Sequence, residues 1–149
     1  MSNVKSTTFT APRCRILLDG KIVGKGTNVQ FTVEYEYQDI DVLDNIEVEE
    51  FAPVSYRVNG SIGIVGAVGT TVKSLGMFPE TGKDKDEHLL NVLLHGQSVL
   101  QLMDKVESKT LHYLYGTVFA SHGFSVAARG ISGVNVNFKS IRHQDESEV

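Results

Sequence analysis

The chain has 149 residues, 41% of them hydrophobic, with one Cys, no Trp and a formal net charge of −4. That length fits one domain with a real core, and a lone cysteine excludes an internal disulfide framework. A mildly acidic chain argues against a nucleic-acid binder, which needs clustered Lys and Arg, and the lack of a transmembrane-length run or an apolar leader points to the cytoplasm and away from a membrane.

Residues 1–12 are polar and read as a flexible N-terminal arm. Arg13–Leu18 and Lys21–Val23 flank Asp19-Gly20, the signal of a type I′ hairpin. Gly24-Lys25-Gly26 then loosens the chain. The stretch VQFTVEYEYQ, residues 29–38, alternates without a slip. Val29, Phe31, Val33, Tyr35 and Tyr37 share one strand face, and Gln30, Thr32, Glu34, Glu36 and Gln38 share the other. A wholly polar strand face suits either open solvent or a water-filled channel.

Residues 39–54, DIDVLDNIEVEEFAPV, keep neither period, and Pro53 argues against a central strand. They read as a long acidic connection. Its Ile40, Val42, Leu43, Ile46, Val48 and Phe51 are too apolar for a free loop and call for a packing partner, in the same subunit or a neighbour. Charge is split along the chain. Residues 1–27 carry Lys5, Arg13, Arg15, Lys21 and Lys25 against Asp19 alone. Residues 28–56 carry no Lys or Arg but hold Glu34, Glu36, Asp39, Asp41, Asp44, Glu47, Glu49 and Glu50. Two readings fit: a solvated acidic loop, or a basic patch on one copy facing an acidic patch on the next, which fixes register more than it adds affinity.

Ser55–Val65 alternates again, with Tyr56, Val58, Ile62 and Ile64 opposite Ser55, Arg57, Asn59 and Ser61. The alternation runs through Asn59-Gly60, so one long strand is preferred to a hairpin there. Gly60, Gly63, Gly66 and Gly69 recur without a nucleotide-binding context and mark bends or close backbone approach. Thr70–Met77 reads as one or two helical turns, and residues 79–87 as a charged loop. Residues 88–103, HLLNVLLHGQSVLQLM, fit either one amphipathic helix or two strands joined at His95-Gly96-Gln97; the glycine and the short apolar runs favour strands. Asp104–Thr110 is a polar turn. Leu111–Phe119 and Gly123–Arg129 read as strands, Gly130–Gly133 as a turn, and Val134–Ile141 as a last alternating strand with Asn135 and Asn137 on its polar side. Residues 142–149 form a charged, frayed tail.

No constellation for chemistry emerges. His88, His95, His112, His122 and His143 have no metal-ligand spacing, so neither a metal nor another cofactor is expected. Cys14 sits between Arg13 and Arg15, where cations lower a thiol pKa, but a small buried Cys in a hairpin is the stronger reading. Ser121-His122 and Ser125 do not make a triad by proximity in sequence. Glu34/Glu36 and Glu49/Glu50 lack any sign of a pocket. No catalytic residue is assigned, and an enzyme is not expected.

Three phrases together carry a family likeness: "RCRILLDGKIVGKGTNVQFTVEYEYQDIDVLDNIEVEEFAP", "VSYRVNGSIGIVG" and "GFSVAARGISGVNVNFKSI". They resemble tail tube proteins of tailed bacteriophages, over most of residues 13–141. The resemblance implies a mainly β fold of tail-tube (Hcp-like) type: an antiparallel β-barrel or sandwich over 13–141 with one short flanking α-helix. It also implies hexameric rings stacked into a hollow tail tube of the virion, assembled in the host cytoplasm. DNA passes through the bore on ejection without specific binding. Sheath protein, tape-measure protein, baseplate and tail terminator are the implied partners. On this reading Gln30, Thr32, Glu34, Glu36, Gln38, Ser55, Asn59, Ser61, Asn135 and Asn137 face the lumen. Residues 39–54 become an extended stacking loop, with Ile40, Asp41, Val42, Leu43, Asp44, Ile46, Glu47, Val48, Glu49, Glu50 and Phe51 reaching the adjacent ring, and Lys5, Arg13, Arg15, Lys21 and Lys25 as its basic complement. The alternatives are another β-structured virion part, such as a tail terminator, tail-completion or capsid decoration protein, and a small-ligand-binding β-barrel.

Overall fold

A computed structural model of the chain describes residues 7–23, 26–65 and 71–148. A 3-10 turn, Ala11–Arg13, leads into β1 (Cys14–Leu18) and β2 (Lys21–Ile22). Asp19 and Gly20 between them have φ of 52° and 83°, the left-handed pair that a type I′ turn demands. There follow β3 (Gly26–Ile40), β4 (Glu50–Val65), α1 (Lys85–Leu94), β5 (Ser98–Asp104), β6 (Lys109–Ser125), β7 (Gly133–Ser140) and β8 (Arg142–Asp145). The fold is mainly antiparallel β with one helix, as the sequence patterning and the family resemblance lead one to expect.

The strands form two layers that share a corner. In one, β2, β1, β5 and the first half of β6 pair in that order, with β8 on the far edge of β6. In the other, the second half of β6 pairs with β7, β7 with β4, and β4 with β3. β6 thus passes from one layer to the other, turning at Gly116 (φ 60°) and slipping register between Phe119 and Ser121, the usual device by which a strand changes sheets. Each layer gives one face to a common core. Ile16, Leu18, Leu100, Leu102 and Leu114 come from the first layer; Val58, Ile62, Ile64, Val136 and Phe138 come from the second. Removing these side chains from water stabilises the fold by about 25 cal/mol per Å² of apolar surface. Gly60 is fixed by this packing: a Cβ there would stand 2.4 Å from both the Phe138 ring and the Gln30 carbonyl. It marks close approach within one continuous strand, as expected.

Polar anchors close the sandwich. The Arg13 guanidinium grips the buried Asp104 carboxylate through Nε (3.0 Å) and Nη2 (2.5 Å), and that bond holds Asp104 below the usual carboxylate range. Thr117 and Ser140 share a hydroxyl bond of 2.8 Å. At the other side, Phe31 of β3 packs on the rings of His112 and His143, whose Nδ1 and Nε2 are 3.0 Å apart. The His143 amide donates to the Tyr56 hydroxyl at 3.0 Å.

Several sequence expectations are corrected. The run after Asp84 is a helix, not a strand: Asp84 accepts a hydrogen bond from the Glu87 amide at 2.9 Å, and Glu87 in turn accepts from the Lys83 amide at 3.1 Å, which together cap α1. Residues 72–76 form hydrogen-bonded turns and no helix. Leu111–Arg129 contains one strand, because β6 runs unbroken to Ser125. Residues 142–145 are not frayed but pair with β6. The connection at 39–54 is shorter than its sequence suggests: β3 continues to Ile40 and β4 begins at Glu50. Pro53 is tolerated because this part of β4 pairs only with β3 and leaves its other edge free of a ladder among the described residues.

Candidate functional site

The outer face of the β6–β7–β4–β3 layer is polar across all four strands. Its rows follow from the register: Gln30 opposite Ser61, Ser61 opposite Asn137, and Asn137 opposite Ser121. One step along lie Thr32, Asn59 and Lys139; one step back lie Asn28, Gly63, Asn135 and Gly123. Beyond the point where β7 ends, Glu34 faces Arg57 and Glu36 faces Ser55. Local bonds knit the face together: Gln30 Nε2 to Ser61 Oγ at 3.2 Å, Asn137 Nδ2 to Ser121 Oγ at 2.8 Å, and Ser55 Oγ to Glu36 Oε2 at 2.8 Å. Arg57 lies 4.0 Å from Glu36. The structure therefore brings nine of the ten residues named for a lumen onto one sheet face, with Gln38 further out beside Ala52. Seven of these nine are exposed, and Ser55 and Ser61 are half-buried. Arg57 and Lys139 share the face, so its two carboxylates are matched by two cations.

β3 and β4 leave the sandwich together. Val29, Phe31 and Val33 still pack on the core, but Tyr35, Tyr37, Phe51 and Val54 are exposed. The ribbon has outrun the facing β2–β1–β5–β6 layer, so the alternation persists while the partner of its apolar face is gone. Tyr35 keeps a ring contact with Tyr56, 5.1 Å between centroids, and Tyr56 still packs on the edge of the core. The ribbon ends in the loop 41–49, where Asp44 adopts φ 67° and the Asn45 side chain accepts from the Glu47 amide at 3.1 Å. Leu43 is 94% exposed and Ile46 104%.

Of the basic residues, Lys5 and Lys25 lie outside the described residues. Arg13 is engaged with Asp104 inside the subunit, whereas Arg15 and Lys21 are exposed. Cys14 is half-buried, and burial pushes its thiol up despite nearby Lys105; it is a packed residue, not an activated nucleophile. Burial, and then His143, push His112 down. No group of metal-ligating side chains forms among the described residues, and no described helix is long and apolar enough to cross a membrane. Sequence reasoning missed two features. One is the His112–His143 pair, which only the pairing of β8 with β6 creates. The other is α1, whose Leu89, Leu90, Val92, Leu93 and Leu94 are all exposed; the D-x-x-E cap at Asp84 was the signal available for it.

The family model of the Phi812 tail tube protein matches residues 3–144. No curated protein matches the chain. Among solved structures, the SPP1 tail tube is similar with a TM-score of 0.65 and 12% identity, covering 93% of this chain and 79% of that one. A chain of the extended PVC sheath–tube complex, from an extracellular contractile injection system, gives 0.62 and 10%, covering 93% of each. A chain of the native gene transfer agent virion gives 0.56 and 13%, covering 91% and 95%. At such identities these likenesses speak for the fold. The family match places the function: the chain belongs to the Phi812 tail tube family, and is a structural component of the tail of phage-like particles, not an enzyme.

Proposed function

We propose that this tail tube protein closes into hexameric rings whose inner wall is the polar face of the β6–β7–β4–β3 layer, and that the rings stack into a tube conducting DNA on ejection. The observation that carries this reading is the two-sidedness of that layer: aliphatic toward the core, hydrophilic across four strands on the outside. Among the described residues, β3 and the second half of β6 carry no ladder on their outer edges. Such edges invite pairing with another chain, and six copies joined this way make a cylinder without edges. Alternation then separates lumen side chains from wall side chains.

A conducting wall has to be wetted without gripping phosphate. Glu34 and Glu36 offset Arg57 and Lys139, so the face carries no net positive charge with which to grip a polyanion. The ribbon and its 41–49 loop reach the adjacent ring. This is a head-to-tail contact, which propagates as a filament where a two-fold one would close. Sheath, tape-measure, baseplate and terminator proteins are the partners such a tube would meet.

Negative-stain microscopy of the purified protein tests the assembly: long tubes are expected, single rings would favour a terminator, and monomers at high concentration would end the proposal. The lumen assignment is tested with Glu34→Lys and Glu36→Lys together. Rings should still form and DNA ejection should slow or stop; ejection at the normal rate would remove these residues from the lumen.

A further inference from the structure

We propose that a groove beside the start of β3 receives Ile46 from the 41–49 loop of a second copy in the next ring. The proposal rests on the stacking reading above and names the surface that the loop engages. Two adjoining recesses, of about 320 and 340 Å³, share Cys14, Ile16 and Gly26. Phe9, Ala11, Ile22, Val23 and Val29 add apolar lining, and Thr27 and Asn28 add polar groups at one side. Arg15 and Lys105 stand on the rim, and both are exposed. Of the nearby acids, Asp104 is paired with Arg13 and so does not offset the rim.

The loop is complementary in both chemistry and place. Ile46 projects fully into solvent, at 104% exposure, next to an Asn45–Glu47 turn that fixes its direction. Asp41, Asp44, Glu47 and Glu49 flank it along the loop, and all are exposed. An apolar knob within an acidic collar thus matches an apolar recess with a basic rim. Opposite charges of this kind set register and orientation. The groove opens at Gly26, the first residue of β3, and the loop follows Ile40, its last. At ~3.3 Å per residue, a strand of 15 residues holds them roughly 45–50 Å apart. Knob and recess therefore sit at opposite ends of one rigid element, so each copy can hand its loop to the next without limit.

The lone cysteine in the recess makes the contact measurable. Ile46→Cys, with native Cys14 retained, should give a ladder of disulfide-linked oligomers when assembled tubes are treated with a mild oxidant, since bridging demands Cα atoms within about 7 Å. In unmodified protein, a small thiol reagent should label Cys14 in dispersed subunits and lose access to it in tubes. Tubes in which Cys14 labels as fast as in dispersed subunits would overturn the groove assignment while leaving ring stacking intact. A disulfide of monomer size from Ile46→Cys would also overturn it, by showing that the loop folds back on its own chain. Failure of the unmodified protein to form tubes would end both readings.

Discussion

The sandwich and the projecting ribbon are built from the same two strands, yet they treat apolar side chains in opposite ways. Within the sandwich, Val58 and Ile62 of β4 are wholly buried against Leu114 and Phe138. On the ribbon, Tyr37 of β3 and Phe51 and Val54 of β4 are more than half exposed. Helix α1 belongs with the ribbon, since none of its residues is buried. A monomer rarely leaves large contiguous apolar surface open unless a partner covers it. The contrast separates what makes the subunit fold from what makes subunits join, and substitutions can act on one without the other.

The largest stability effect falls in the sandwich. Phe138→Ala removes a ring that is 1% exposed and shared by both layers. It should cost about 3–5 kcal/mol, read as a drop in the denaturant midpoint of the dispersed subunit. Gly60→Ala comes next. Its methyl would collide with the Gln30 carbonyl, and neither backbone nor ring can yield freely, so a loss of about 1–3 kcal/mol is expected. Melting curves unchanged by either substitution would mean that the sandwich is not the folding unit.

How much of this was readable beforehand follows the same division. The alternation of residues 29–37, the Asp19-Gly20 turn and the uninterrupted run through Asn59-Gly60 were legible, because strand period and turn chemistry are local. The family likeness supplied the fold class and the tail tube role that those local signals could not. α1 was misread because HLLNVLLHG has apolar residues on all sides, so burial gave it no helical stripe; only the Asp84 cap marked its start. β8 was invisible, since RHQD carries no apolar period and owes its place to the register set by β7 and to the His143 stack. The exposure of Tyr35 and Tyr37 could not be foreseen either, because the period says which residues share a face and not where the covering layer stops.

A smaller effect is expected where the ribbon leaves the sandwich. His112 is pushed below its ordinary 6.5 by burial and by His143. Its neutral form is the one the fold accommodates. The facing nitrogens, 3.0 Å apart, share one proton, and a second would set two N–H groups against each other. Asp145 and Glu146 oppose this by favouring the charged form, and Glu146 is itself bound to Lys109 at 3.1 Å. The unfolded chain binds the extra proton more readily, so stability is complete above pH 6.5 and falls as the pH drops below it. The dispersed subunit should lose a few degrees of melting temperature between pH 7 and pH 5, and His112→Gln should flatten that slope. An equal slope in the variant would remove His112 as its source; Asp104, held below the usual carboxylate range, titrates too low to act in that window.

The smallest effect on the subunit should be the largest on the assembly. Leu43 and Ile46 touch almost nothing in their own chain, so replacing both by Ser should change the stability of the dispersed subunit by no more than about 0.5 kcal/mol. If they fill a recess on the next ring, the same pair of changes removes the apolar knob that the stack depends on and leaves an acidic loop facing a basic rim. Charge alone orients such a contact without holding it at physiological salt. Sedimentation should then show folded subunits or single rings in place of tubes, with an unaltered melting curve. Tubes of normal length from this variant would mean that exposed apolar surface on the ribbon is not what joins the rings, and the division between folding and joining residues would have to be drawn elsewhere, with α1 the next place to look.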